Sequence, residues 1–214
     1  MQILLVSSTG MEVLPQFETG IDILVSGVGI PSTMYHLQKR LHQLDYDLVI
    51  QAGIAGTFEK GPMLEETILV KQDAFGDLGT EQNEEYCTLF DAKLADRNEF
   101  PFSDGWLVNN NHWLEKLPYK KVKAVTINKV SDDRLLSRQL VHTFSPAIES
   151  MEGAALHYVC LQENVPFLQL RTISNNVGDR NKKHWRMEKA IANLNAELSK
   201  ILELILKENK HDRL

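Results

Sequence analysis

Six stretches of strand length in this chain are apolar without alternation: ILLVS (3–7), IDILVSG (21–27), DLVIQAG (47–53), TILV (67–70), KAVTI (123–127) and PFLQLRTIS (166–174). A strand with one wet face alternates apolar and polar side chains, so continuous runs mark strands covered on both faces. Between several of them the period changes. Met34, Leu37, Leu41 and Leu44 recur at helical spacing over 32–44, and Pro31 suits a first helical turn. GAALHYVCL (153–161) predicts a second helix, stopped before Pro166. The longest helix is predicted over about 186–208, where Ile191, Leu194, Leu198, Ile201, Leu202 and Ile205 form one apolar stripe. Strands alternating with helices predict an α/β layer fold on a mostly parallel sheet.

The segment 76–105 lacks periodicity and is rich in Asp, Glu and Asn, which predicts a long loop that is functional or ordered by a subunit contact. The charged end KENKHDRL is expected to fray. No repeat or linker interrupts the 214 residues, so one domain over 1–214 is expected.

Composition excludes several classes of function. A net charge of −6 argues against a nucleic-acid backbone or an anionic membrane as partner. No apolar run approaches a membrane span, and MQILLVSST lacks a basic leader, so it reads as a first strand. Cys87 and Cys160 stand far apart without metal-ligand spacing, which predicts a reducing, cytoplasmic setting and inert thiols. The seven histidines form no H-x-x-x-H pair, so neither a metal nor an organic cofactor is expected.

In an open α/β sheet, ligands bind beyond the carboxyl ends of the strands. The segments expected there are STGMEV with Glu12, SGVGIPST, QAGIAGTF, ESMEGAA with Glu152, and SNNVGDR with Asn175 and Asn176. Each has a bland alternative. GVG lacks the third glycine of a dinucleotide fingerprint and serves equally as a turn. AGIAG can let a strand and a helix pack closely. Glu12 and Glu152 can be loop or first-turn acids, and the paired asparagines can be turn formers.

The joint order of these motifs resembles the nucleoside phosphorylase/nucleosidase superfamily over nearly the whole chain. GMEV, SGVG, AGIAG, SMEGAA and RTIS are similar to methylthioadenosine/S-adenosylhomocysteine nucleosidases. SMEGAA and ISNNVGDRNKKHW are similar to the futalosine hydrolases, a branch working in menaquinone biosynthesis. The resemblance implies a three-layer α/β/α fold with a mixed central sheet, a homo-oligomer (dimer or tetramer) and a small-molecule purine nucleoside as partner. It implies hydrolysis of the N-glycosidic bond of futalosine, with hypoxanthine leaving. Another purine nucleoside, or nucleoside binding without catalysis, remains the alternative. By the same resemblance Glu12 activates the attacking water, Glu152 accepts hydrogen bonds from the ribose hydroxyls, and Met151 packs beneath the sugar. Gly53 and Val130 fall at the substrate, and Asn175 stands where adenine-specific members carry an aspartate acid.

The chemistry of these residue types suits such roles. Loss of a purine leaves an oxocarbenium-like ribose, which a nearby carboxylate favours. A base must hold water on the face opposite the leaving group. Adenine offers a 6-amino donor, whereas hypoxanthine offers a 6-oxo acceptor. A carboxamide presents one donor and one acceptor side by side, so Asn175 matches O6 and N7 of a 6-oxopurine. Phosphorolysis calls for cations, and the first three loops contain none, which favours water as nucleophile. Futalosine bears an aryl carboxylate on its 5′ side. Arg180 and Lys182 are its candidate partners, and Phe75, Phe102, Trp106 and Trp185 are candidate aromatic walls.

Overall fold

The structure is a computed structural model that describes residues 1–13, 21–82, 85–130, 134–179 and 181–211. Its first strand, β1 (Ile3–Ser7), shows why the apolar runs do not alternate. Ile3 and Leu5 point to one face of the sheet, with Leu194, Leu198 and Ile201 of α5 (Met187–His211). Leu4 and Val6 point to the other, with Leu37 of α1 (Ile30–Leu41) and Leu156 and Val159 of α4 (Gly153–Gln162). Successive side chains alternate in direction but not in character, because both faces are covered. The layers are therefore helix, sheet and helix, with the short helix α2 (Trp113–Lys116) on the α5 side.

Among the described residues the large sheet has eight strands and mixed direction. β2 (Ile21–Val25), β1, β3 (Leu48–Thr57) and β10 (Phe167–Asn176) run parallel. β4 (Thr67–Phe75) is antiparallel to β10 and parallel to β8 (Lys121–Thr126). β9 (Ile148–Ser150) then joins β8 to the far end of β3. Because β3 pairs with β10 as well, the path β3–β10–β4–β8–β9 closes on itself. Each strand of that ring contributes to one apolar cluster: Ala55, Ile68, Val70, Val122, Ala124, Ile148 and Ile173.

Several expectations are corrected. QAGIAGTF does not follow the third strand; all of it but Phe58 belongs to β3, whose glycines admit buried groups close to the backbone. Asn175 and Asn176 are the last residues of β10 rather than a following loop. Within 76–105 the chain forms a hairpin of β5 (Gly79–Gln82) and β6 (Glu85–Thr88), and β7 (Leu107–Val108) then pairs with β4. The first long helix ends at Leu41, leaving Leu44 exposed, and α5 continues through much of the charged tail to His211. A further helix, α3 (Arg134–Phe144), precedes β9.

Candidate active site

The carboxyl ends of β1, β8 and β10, the glycine-rich half of β3 and the β9–α4 turn surround a cleft of about 620 Å³. Glu12 enters it from the turn after β1. Its Oε2 accepts the N–H groups of Ser8 at 3.1 Å and Thr9 at 3.0 Å, together with the Ser8 hydroxyl. Its Oε1 accepts the Ile54 N–H at 3.2 Å. From the opposite layer, Asn195 of α5 donates to the Glu12 carbonyl at 2.9 Å. The carboxylate is thus buried and fixed by backbone of the turn after β1 and of β3.

Glu152 is the residue that precedes α4, yet it makes no side-chain cap for that helix. It turns into the cleft, where Oε1 accepts the Gly29 N–H at 3.0 Å. The GVG motif therefore holds a carboxylate. Burial pushes the Glu152 carboxyl above its ordinary range; the Arg171 charge and the Gly29 N–H oppose this, and the Glu12 charge adds to it.

Between the two carboxylates lies a group to which the sequence reading gave no role. Arg171 of β10 is only 1% exposed, donates to Gln51 at 2.5 Å and stands 4.0 Å from Glu152 Oε2. Gly53 faces it across the β3–β10 pairing. A Cβ at Gly53 would fall 2.3 Å from Arg171 Nη1 and 3.0 Å from Glu12 Oε1. Gly53 thus lies under the cleft as the space the guanidinium and carboxylate need. The signal was present in the sequence, since an arginine inside the apolar run FLQLRTIS must be paired when buried.

Asn175 lines the other end of the cleft. A bulge between Ile173 and Asn175 sets its direction. The Ser174 hydroxyl donates to its Oδ1 at 2.8 Å, and its Nδ2 donates to the Asn176 carbonyl at 3.0 Å. Asn176 is exposed, and its carbonyl holds the Asn175 amide. One N–H and one lone pair of the Asn175 amide are left over. Val130, Met151 and Trp185 line the same cleft, and the Trp185 indole N–H donates to the Asp179 carbonyl at 2.7 Å. Lys129 is the cation in the lining among the described residues.

The remaining candidates fall elsewhere. Phe75, Phe102 and Trp106 pack with Tyr158, Phe90 and Phe144, away from the cleft. Lys182 sits in a short 3₁₀ turn, Lys182–His184, and does not line the cleft. Arg180 lies outside the described residues. Among the described residues no group of three or more His, Cys, Asp or Glu side chains could hold a metal ion, and no helix is long and apolar enough to cross a membrane.

Comparison with known proteins adds a family. The model of the phosphorylase superfamily matches residues 17–207. A futalosine hydrolase of Thermus thermophilus is 28% identical over 187 residues, covering 86% of this chain and 82% of that protein. A futalosine hydrolase of Streptomyces coelicolor is 27% identical over 206 residues, covering 94% and 86%. Among solved structures, a methylthioadenosine/S-adenosylhomocysteine nucleosidase of Helicobacter pylori superposes with a TM-score of 0.77 at 16% identity, over 94% of this chain and 97% of that one. It was crystallised with an aminopyrrolopyrimidine linked to a pyrrolidinol.

Proposed function

The chain belongs to the phosphorylase superfamily, and on that premise we propose that it hydrolyses the N-glycosidic bond of futalosine, releasing hypoxanthine. The observation that carries this reading is one arrangement: two buried carboxylates flank one buried guanidinium at one end of a cleft, and a carboxamide stands at the other. Glu12 Oε1 carries one hydrogen bond and keeps capacity for a second donor, the place for an attacking water. Glu152 accepts the ribose hydroxyls and favours the positive charge that grows on the sugar as the base leaves. Met151 packs beneath the ribose.

At the base, the free N–H of Asn175 donates to O6, and its carbonyl accepts a hydrogen bond from N7 once solvent has supplied the proton with which the neutral base leaves. The bonds from Ser174 and to Asn176 hold the amide in that orientation. Trp185 supplies the aromatic wall. Both curated relatives named above are futalosine hydrolases, which supports the same base. Water rather than phosphate is the nucleophile, because Glu12 and Glu152 would repel a dianion. Met11 and Val28, exposed by 67% and 56%, line the cleft, which supports its closure by a second copy of the chain.

The deciding experiment follows base release from futalosine, aminofutalosine, inosine and methylthioadenosine in phosphate-free buffer. Hypoxanthine release from futalosine, indifferent to EDTA and to added phosphate, is the expected result. Obligatory phosphate with a sugar 1-phosphate product sinks the hydrolase reading.

A further inference from the structure

Three polar side chains stand behind the Met151–Glu152 turn, and the chemistry above leaves them unused. Asp73 of β4, Thr126 of β8 and Gln169 of β10 are all 0% exposed. The first N–H groups of any helix lack partners within the helix, and the preceding residue commonly supplies its own side chain to them. Glu152 cannot do so here, because its carboxylate faces the cleft. The task passes to neighbours. The Ser150 hydroxyl accepts the Gly153 N–H at 3.2 Å, and the Thr126 hydroxyl accepts the Ala154 N–H at 2.7 Å. Thr126 in turn donates to Asp73 Oδ1 at 3.0 Å. The Asp73 carboxylate therefore ends a relay from the start of α4, where negative charge is favoured.

The contact is too close to be incidental. A Cβ at Gly153 would fall 2.2 Å from Asp73 Oδ2 and 2.1 Å from Gln169 Nε2. Only a glycine lets the peptide after Glu152 lie against these two groups. Burial pushes Asp73 up to about 7, while the Thr126 and Gln169 hydrogen bonds and the Arg171 charge oppose that rise.

We propose that Asp73 is a positioning residue for N-glycosidic cleavage: through Thr126 it caps α4 from another strand, and so frees Glu152 and holds it against the ribose. The proposal rests on the placement of Glu152 at the ribose. It accounts for a carboxylate on β4 with no access to the cleft, and for a threonine on β8 bonded across two strands.

The test combines kinetics and equilibrium binding of the nucleoside that the wild type turns over, with Tm measured alongside. Asp73→Asn keeps shape but not charge, and is expected to raise KM about tenfold with a smaller loss in kcat, the signature of weakened ground-state contacts. Thr126→Val is expected to act in the same direction, and Thr126→Ser to restore most of the loss. The decisive comparison is a double-mutant cycle with Glu152→Gln. If Asp73 acts through Glu152, Asp73→Asn adds little once Glu152 is already disabled. Losses that multiply, or wild-type KM in both Asp73→Asn and Thr126→Val, overturn the positioning role. Should Asp73→Asn fail to fold, the Thr126 pair carries the test by the same outcomes. A Glu152→Gln variant with unchanged KM sinks the ribose assignment instead, and a wild type that neither binds nor cleaves any of the four nucleosides sinks both.

Discussion

The two ends of the cleft are built differently. At the end proposed to hold the sugar, Glu12, Glu152 and Arg171 are between 1% and 6% exposed; Glu12 is held by Ser8 and Thr9 nearby, and each of the three also has a partner distant in sequence, Ile54, Gly29 and Gln51 respectively. At the base end, Asn175 is half-buried and is oriented by its immediate chain neighbours Ser174 and Asn176. Trp185 is fixed by a carbonyl six residues away. The sugar end is therefore part of the core, and the base end is a local attachment to one strand terminus. On the proposed function, bond-breaking is assigned to residues of the core, and base choice to a side chain that supports little of it.

Four substitutions probe that contrast. The largest effect is expected for Glu12→Gln: turnover falls by about 10²–10⁴-fold, as for loss of a general base, while nucleoside binding persists. Single-turnover rates beside equilibrium binding check this, and a near wild-type rate removes Glu12 from the mechanism. Next comes Asn175→Asp. A carboxylate facing O6 leaves two acceptors unpaired, so kcat/KM for futalosine falls about 10²-fold relative to aminofutalosine. Tm should hardly move, since the side chain holds nothing in the core. If the 6-oxo preference survives intact, Asn175 does not read the base.

Gly53 and Gly56 allow the two ends to be compared within one strand. Gly53→Ala drives a Cβ into Arg171 Nη1, and should cost about 1–3 kcal/mol of stability together with most sugar-end function. Gly56→Ala meets Val177 at 3.1 Å and Asn175 at 3.4 Å, and should chiefly alter base preference. Denaturant melts and substrate ratios separate the two outcomes; equal effects at both glycines erase the contrast.

The smallest effect concerns pH. Asp73 is raised from 3.8 to about 7 in the fold, so its contribution to stability is present below 3.8 and is lost as pH rises through about 7. His157 behaves oppositely. Burial lowers it from 6.5 to about 4, so its contribution is present above 6.5 and is lost as pH falls through about 4. Asp73→Asn should therefore gain Tm relative to wild type as pH rises from about 5 to about 8. A constant difference across that range shows that Asp73 does not titrate there.

What was legible in the sequence follows the same division. The runs at β1 and β10 announced covered strands because both faces meet helices, whereas β2, read the same way, is the sheet edge with only Leu24 buried; the stripe on α5 was clear because it lies on one face. The second half of β3 was misread as a loop because glycine and alanine lower strand propensity; their smallness serves Arg171 and Glu12, which only the paired strands bring near. Helix α3 lies just beyond Val130, and no helix was expected there. Arg171 stood in view within RTIS, but its partners are scattered from Glu12 to Glu152, and no local pattern joins them. Asp73 is the extreme case, since its role depends on a helix start eighty positions later in the chain.

The closed path of strands also sets the order in which this protein can come into being. β3 completes the ring only by pairing with β10, and Gln51 and Arg171, which meet there, are 120 positions apart. Pairings of such long range form slowly and late. On the ribosome, a chain that has not yet emerged as far as Asn176 has β3 with one edge unpaired, a surface open to other strands. Until Arg171 has emerged, Gln51 and Glu152 also lack the guanidinium that stands beside them in the folded chain. Seating β10 against β3 closes that edge, while the face carrying Ile3, Leu5, Leu168 and Leu170 stays uncovered until α5 follows.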